Sequence, residues 1–332
     1  MCSREGGDMA VLTYRDALNA ALREEMTRDD RVFLMGEEVA EYDGAYKVSR
    51  GLLKEFGPLR VVDTPIAELG FAGIGVGAAM VGLRPIIEFM TWNFALLAID
   101  QVVNSAAKMR YMSGGQVGCP IVFRGPGGSA LQLSSQHSQA FESWYAHIPG
   151  LKVVAPGTPA DAKGLLKSAI RDDNPVIFLE DKMMYNQKGP LPEDDYTVPL
   201  GQARIYREGR HATIICTSSM LYPSLEAADR LAGDGIELTV IDPRTISPLD
   251  EAPLVEAAIR TGHVLVVDEA YQSFGVTAEI AARIQEKAFY YLDEPVRRLG
   301  AADVPVPFSP SLEDLTIPST ERIEALIREM LA

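Results

Sequence analysis

The chain has 332 residues, of which 47% are hydrophobic and 23% charged, a composition typical of a globular protein with room for two domains. The net charge of −15 argues against nucleic acid as the main partner. Three scattered cysteines and an N-terminus without an apolar run predict a reducing, cytoplasmic location with no disulfide framework and no secretory signal.

Strands and helices alternate through the first half. Thr13 is placed to cap a helix, and the uncharged stretch 69–83 predicts a buried helix that is too short and glycine-rich to span a membrane. The strands are continuous apolar runs, which indicates a parallel sheet covered on both faces. The predicted strands are 32–35, 61–62, 85–90, 121–124, 153–155 and 176–180, and the other predicted helices are 94–112 and 158–171.

The pattern breaks at a segment rich in proline and acidic residues, after which a second alternating block begins. We therefore expect an α/β protein with two domains, the second smaller than the first. The predicted boundaries are a disordered N-terminal extension at 1–8, a parallel-sheet domain at 9–185, a linker at 186–203 and an α/β domain at 204–332.

Glu68 is the last carboxylate before the uncharged helix. A carboxylate enclosed by apolar surface has a perturbed proton affinity, and such groups cluster at functional sites. An acidic residue in the first turn of a helix also complements the helix dipole, so a structural role remains an alternative.

Three further motifs are candidates for a functional site. Residues 125–128 (GPGG) follow a strand as phosphate-binding loops do, but they lack the Rossmann and P-loop spacings, so a tight turn is the alternative. His137 is flanked by polar residues and is an acid/base candidate, or else a surface or capping histidine. Residues 233–235 (GDG) begin like a magnesium-diphosphate motif, but no asparagine follows Asn186, so we read them as a helix end.

Taken together, several stretches resemble the beta subunits of the two-chain 2-oxoacid dehydrogenases, most closely the pyruvate type, over nearly all residues from Ala10 on. The most specific are 36–40 (GEEVA), 42–51 (YDGAYKVSRG), 63–73 (DTPIAELGFAG), 88–94 (EFMTWNF), 136–139 (QHSQ) and 149–154 (PGLKVV). The resemblance implies a transketolase-type pyrimidine-binding domain followed by a transketolase C-terminal-like domain.

The same resemblance implies thiamin diphosphate shared with an alpha subunit, which holds the magnesium ion, in an α₂β₂ heterotetramer. Glu68 would be the glutamate that hydrogen-bonds the aminopyrimidine ring, with Ile66, Met90 and Phe94 packing against the cofactor. His137 would be an active-site histidine near the entrance for substrate and lipoyl arm. A potassium ion bound largely through carbonyl groups would use Ile121, Ala169, Ile170, Asp172 and Asn174.

The implied activity is oxidative decarboxylation of pyruvate with acetyl transfer to a lipoyl group on an acyltransferase core, leading to acetyl-CoA and CO₂. The beta subunits of acetoin and branched-chain 2-oxoacid dehydrogenases share nearly every motif and are the nearest alternatives. A nucleotide-binding α/β protein without enzymatic activity is the alternative from another class. It would need a phosphate motif, which we do not find in the sequence.

Overall fold

The computed structural model describes residues 9–129 and 131–332, in which strands and helices alternate as the predicted α/β class requires. The elements of the first half are β1 (Met9–Thr13), α1 (Tyr14–Arg28), β2 (Val32–Gly36), α2 (Leu52–Phe56), β3 (Val61–Asp63), α3 (Glu68–Met80), β4 (Arg84–Glu88), α4 (Met109–Met112), β5 (Val122–Gly127), α5 (Glu142–Ala146), β6 (Lys152–Val154), α6 (Pro159–Arg171), β7 (Val176–Asp181) and β8 (Lys188–Pro192). The elements of the second half are β9 (Arg204–Arg207), β10 (Ala212–Cys216), α7 (Leu221–Ala232), β11 (Leu238–Asp242), β12 (Thr245–Ser247), α8 (Glu251–Thr261), β13 (Val264–Tyr271), α9 (Val276–Ala288), β14 (Arg297–Ala301), α10 (Pro310–Thr316) and α11 (Thr320–Met330).

The larger sheet has seven strands in the order β12, β6, β7, β5, β4, β2, β3. All are parallel except β12, which comes from the second half of the chain and runs antiparallel to β6. The strands pack so closely that a Cβ added to Gly36 would lie 2.2 Å from the carbonyl oxygen of Glu88, so only glycine fits where β2 ends. Because β2, β3 and β4 are parallel, their carboxyl ends meet at one edge, where open α/β sheets bind ligands.

The smaller sheet has five strands in the order β14, β13, β10, β11, β9, with β9 alone antiparallel. The sequence did not reveal β9 or β12, which are only four and three residues long. Both are antiparallel edge strands, and half of β9 is exposed, so neither forms the continuous apolar run by which we recognised strands.

The segment predicted as a linker, 186–203, contains β8, which pairs antiparallel with β1. Met9 lies opposite Pro192 and Thr13 opposite Lys188. The proline residues suggested an irregular segment, but proline is compatible with an edge strand because its missing N–H faces away from the partner strand. Residues 1–8, predicted to be a disordered extension, lie outside the described residues.

The single helix predicted at 94–112 is wrong. The structure has a 3₁₀ turn at Ala95–Ala98, a π turn at Gln101–Ala106 and then α4. The inward-facing residues Ala98, Val102 and Ala106 still recur at helical spacing, which is why the sequence pattern looked continuous. Short π turns inside helical segments are frequent near functional sites.

Helix α3 begins at Glu68 as predicted but ends at Met80 and is buried on one face only. Phe71, Ala72 and Val76 face the core, whereas the side chains of Leu69 and Ile74 are 52% and 64% exposed. Within the described residues, no helix is both long and apolar enough to cross a membrane.

Candidate active site

Glu68 lies at the first position of α3, just after β3 delivers the chain to the carboxyl edge of the larger sheet. Its side chain is buried, with 3% of the residue exposed. The preceding residue, Ala67, provides no side-chain cap. A surface carboxylate that only complements the helix dipole would remain in water, so this burial marks Glu68 as an unusual first-turn residue.

A second buried carboxylate, Glu37, lies beside Glu68. Burial raises the pKa of Glu37 to about 7, and the negative charge of Glu68 adds to the rise. One Glu37 oxygen accepts a hydrogen bond of 3.3 Å from the backbone N–H of Met90, and the other, Oε1, has no partner among the described residues. The two carboxyl groups therefore form a pair that can hold a proton near neutral pH.

Our sequence analysis did not identify Glu37. The available signal was its position directly after β2, because the residue that follows a parallel strand lies at the same edge as the residues following its neighbours. Glu37 and Glu38 are adjacent in the sequence, and only the burial of one and exposure of the other distinguish them.

The three predicted apolar residues differ in exposure. Met90 and Phe94 are half-buried, and Ile66 is 80% exposed. Ile66 immediately precedes the Ala67–Glu68 step, so an exposed apolar side chain stands beside a buried carboxylate. This face of the site is open in the single chain, and a bound molecule or a second chain could cover it.

His137 ends a 3₁₀ turn, Ser135–His137, and its ring contacts the ring of Phe94 edge-on. Its backbone is held on two sides. The N–H donates to the carbonyl of Ser134 at 3.1 Å, and the carbonyl accepts a hydrogen bond from the ammonium group of Lys182. The structure thus places His137, which follows β5, against Phe94, which follows β4 and Met90.

A buried ion network joins three neighbouring strands of the larger sheet. Arg124 is completely buried on β5, pairs with the carboxylate of Glu88 on β4, and donates 2.5 Å from Nε to Glu180 on β7. Burial alone would lower the pKa of Arg124, but Glu180 and Glu88 outweigh that effect and raise it well above its usual value. The carbonyl of Arg124 also accepts from Phe89 N–H at 2.9 Å, so this residue fixes the chain just before Met90.

The residues predicted to bind potassium cluster at the opposite end of the sheet. Arg84 donates 3.0 Å hydrogen bonds to the carbonyls of Ile170 and Asp172, and the carbonyl of Ile121 accepts from Val176. Each carbonyl has two lone pairs, so acceptors remain for a hard cation. The Asp172 carboxylate is paired with Lys152 and is therefore the least free of these groups. The other residues of this set are Ala169, which is buried, and Asn174, which donates to Asp172.

The two glycine motifs, 125–128 and 233–235, lie at the end of a strand and at the end of a helix. Residues 125–127 belong to β5, so the loop predicted there is wrong. A Cβ on Gly128 would lie 2.5 Å from the Glu269 carboxylate, which makes this an unsuitable place for a phosphate. Gly233 ends α7, and the carboxylate of Asp234 accepts a 2.5 Å hydrogen bond from Arg328.

A groove of about 1220 Å³ lies apart from this site, between Trp144 of the first half and Phe274 of the second. None of the predicted site residues lines it. We place the candidate site at the carboxylate pair because the residues that line the groove include no pair of buried carboxylates.

Comparison with known proteins identifies the fold and family. The transketolase pyrimidine-binding domain family matches residues 10–188, and the transketolase C-terminal domain family matches residues 201–323. A solved split-gene transketolase, described as an inactive beta4 tetramer, is 22% identical with a TM-score of 0.78, covering 96% of this chain and 98% of its own. That similarity concerns the fold alone.

Several relatives are identical to this chain at more than half of the aligned residues. The pyruvate dehydrogenase E1 component subunit beta of Rhizobium meliloti is 54% identical over 96% of this chain and 69% of its own length. The corresponding protein of Rickettsia felis is 54% identical over 95% and 97%. The human mitochondrial protein is 52% identical over 96% and 90%. The chain therefore belongs to the family of pyruvate dehydrogenase E1 component beta subunits, within the transketolase fold.

Proposed function

We propose that this chain is the beta subunit of the thiamin-diphosphate-dependent decarboxylase component of a pyruvate dehydrogenase complex. It would act only with its alpha subunit, in the oxidative decarboxylation of pyruvate and the reductive acetylation of a lipoyl group. The observation that carries the proposal is the buried pair of Glu37 and Glu68 at the carboxyl edge of the sheet, beside apolar side chains that are open on one face.

Thiamin diphosphate, when bound, supplies the stabilised carbanion that decarboxylation of a 2-oxoacid requires. The residues present fit its aminopyrimidine end, because Glu68 is a buried carboxylate that can share a proton with a ring nitrogen. Glu37 has a pKa of about 7 and can hold or release a proton beside Glu68 at neutral pH. Met90 and Phe94 would pack against the ring and exclude water from that proton.

The open face at Ile66 supports a site that is shared between two chains. The alpha subunit would carry the motif that binds magnesium and the diphosphate of the cofactor, since this sequence has no asparagine after Asn186 with which to complete such a motif. We propose an α₂β₂ heterotetramer that docks on a lipoyl-bearing acyltransferase core. His137, half-buried beside Phe94, would guard the entrance used by the 2-oxoacid and the lipoyl arm.

We also propose that potassium binds at the carbonyl cluster of Ile121, Ala169, Ile170, Asp172 and Asn174. Thermal unfolding of the chain in potassium and sodium chloride at equal ionic strength tests this. We expect a higher unfolding temperature in potassium chloride than in sodium chloride. Equal unfolding temperatures for the unmodified chain would contradict the site.

The activity is tested by reconstituting the chain with its alpha subunit and assaying pyruvate, acetoin and branched-chain 2-oxoacids. We expect pyruvate to be preferred and each subunit alone to be inactive. The relatives described above give no support to the acetoin and branched-chain alternatives, and a preference for either substrate in this assay would overturn the proposal. Activity of the isolated chain would contradict the shared site.

A further inference from the structure

The segment that carries His137 (residues 131–139, called the His137 segment below) rests on the C-terminal half of the chain. Both carboxylate oxygens of Glu313, in α10, accept from the backbone N–H of Gln132, at 3.1 and 3.2 Å. The hydroxyl of Ser135 donates to the carbonyl of Val306 at 2.9 Å. A first-domain loop is thus anchored at two points on residues that match the transketolase C-terminal family.

The backbone of this segment is strained. Leu131, Gln132 and Ser134 have φ values of +67°, +54° and +67°, in the left-handed region that residues with a side chain rarely adopt. Such conformations persist only where the surroundings hold them, and they cluster at functional sites. Gln132, which donates its N–H to Glu313, is one of these strained residues.

Glu313 is suited to hold that strain. It is 4% exposed, and its charged carboxylate makes a charge-assisted hydrogen bond with a partly buried backbone N–H. Its neighbour Asp314 is exposed, and the Asp314 side chain has no hydrogen bond among the described residues. The two acidic residues of α10 therefore differ in environment, although they are adjacent in the sequence.

The first domain holds the other end of the segment. Asn93 donates 2.7 Å to the side chain of Gln139, and Lys182 donates to the carbonyl of His137. Neither contact restrains the strained end at residues 131–134. The position of the His137 ring therefore depends on contacts from both halves of the chain.

We propose that Glu313 is a positioning residue for His137: from the C-terminal domain, it holds the strained start of the His137 segment so that the histidine ring stays against Phe94. The inference rests on the proposed function, in which His137 guards the entrance of the site. The C-terminal domain would then help to shape that entrance, although none of the site residues named above belongs to it.

Hydrogen exchange on the purified chain tests the anchor without any activity measurement. We expect Glu313→Ala to raise exchange in peptides covering 131–139 by about tenfold or more, with little change elsewhere. Glu313→Gln, whose amide oxygen still accepts, should restore most of the protection. Asp314→Ala is the matched control and should match the unmodified chain. Unchanged exchange in Glu313→Ala would overturn the proposal.

A double-mutant cycle in the reconstituted tetramer tests the consequence. We expect Glu313→Ala to lower kcat with pyruvate several-fold, and to have no further effect when His137 is already alanine, because it acts through that residue. An equal loss in both backgrounds would overturn the proposal. If Glu313→Ala does not fold, Ser135→Ala, which removes the contact with Val306, takes its place in both experiments.

The experiments distinguish a wrong assignment of function from a wrong assignment of the Glu313 role. If the unmodified tetramer does not act on pyruvate, the proposed function is wrong, and the exchange experiment still decides whether Glu313 anchors the segment. If the tetramer is active and Glu313→Ala behaves like Asp314→Ala, only the positioning role is wrong.

Discussion

The ring of His137 stands edge-on to the ring of Phe94, with centroids 5.3 Å apart and planes inclined at 88°. The two residues are 43 positions apart in the sequence and approach each other from different strands of the larger sheet. Edge-on ring contacts contribute about 0.5–1.5 kcal/mol beyond their buried area. The pair therefore fixes one wall of the site before any partner chain is present.

We expect Glu68→Gln to leave the fold intact and to slow proton exchange at the reactive thiazolium carbon about 100-fold or more in the assembled enzyme. The amide keeps the shape of the carboxylate but cannot share a proton with the ring in the same way. Circular dichroism checks the fold, and Glu38→Gln, on the exposed neighbour of Glu37, is the charge-matched control. Exchange at the rate of the unmodified enzyme would show that Glu68 does not share a proton with the cofactor ring.

Glu37→Gln should change how the stability of the isolated chain depends on pH. The folded pKa of Glu37 is raised from 4.5 to about 7, so its stabilising contribution is fully present below about 4.5 and is lost as pH rises through 7. We expect the variant to match the unmodified chain at pH 4 and to exceed it at pH 8.5 by about 3 kcal/mol. Denaturant unfolding at both pH values measures the difference. Equal curves at pH 8.5 would show that burial does not raise the pKa of Glu37.

Leucine substitutions at two glycines of α3 should affect different properties, the stability of the chain in one case and subunit assembly in the other. A Cβ on Gly75 would lie 2.5 Å from Ile87 Cδ1, whereas a Cβ on Gly77 meets nothing within 4 Å. Four glycines in one helix cost about 1 kcal/mol each relative to alanine, and close approach of a partner chain to the exposed face would offset that cost. We expect Gly75→Leu to destabilise the chain itself, and Gly77→Leu to fold but to assemble poorly with the alpha subunit.

Size-exclusion chromatography of the mixed subunits, with circular dichroism of the beta chain, separates the two effects. Gly77 is a sharper choice for this test than Gly73, because a Cβ on Gly73 would already lie 3.3 Å from Gln101 within the same chain. A normal tetramer from Gly77→Leu would end the interface hypothesis for this face.

Asp293→Lys should weaken binding to the acyltransferase core and leave decarboxylation with an artificial electron acceptor unchanged. Asp293 is exposed and follows the exposed aromatic residues Tyr290 and Tyr291, and the acidic chain suits a basic partner. Glu294 is less suitable, because its side chain is only 23% exposed, against 70% for Asp293. Binding is measured at low and high salt, with Asp30→Lys as a charge-matched control. Unweakened binding at low salt would exclude Asp293 as a contact.

The sequence was sufficient for the elements whose apolar pattern is regular. The cap at Thr13 is confirmed, since its hydroxyl accepts from Asp16 N–H and α1 begins at the next residue. The helix at 94–112 was wrong because inward-facing residues can keep one spacing while the backbone changes its hydrogen-bond register. Short antiparallel strands such as β12 carry too few residues to show a pattern.

The site was harder to predict because it depends on neighbours in space. Glu68 stood out because an uncharged stretch follows it, but nothing in the sequence distinguished buried Glu37 from exposed Glu38. The anchoring of Gln132 by Glu313 joins residues 181 positions apart, and no local pattern could indicate it. The assigned roles of Glu68, His137 and the carbonyl cluster remain predictions for the experiments above.

Strand β12 has a consequence for any attempt to take this molecule apart. It belongs by sequence to the C-terminal half, yet it completes the larger sheet, with Thr245 opposite Val154. A truncated first half would expose the unpaired edge of β6, which is a template for aggregation. The two halves therefore cannot be exchanged independently. A chimera with a foreign C-terminal half would need a strand that pairs with β6 in place of β12.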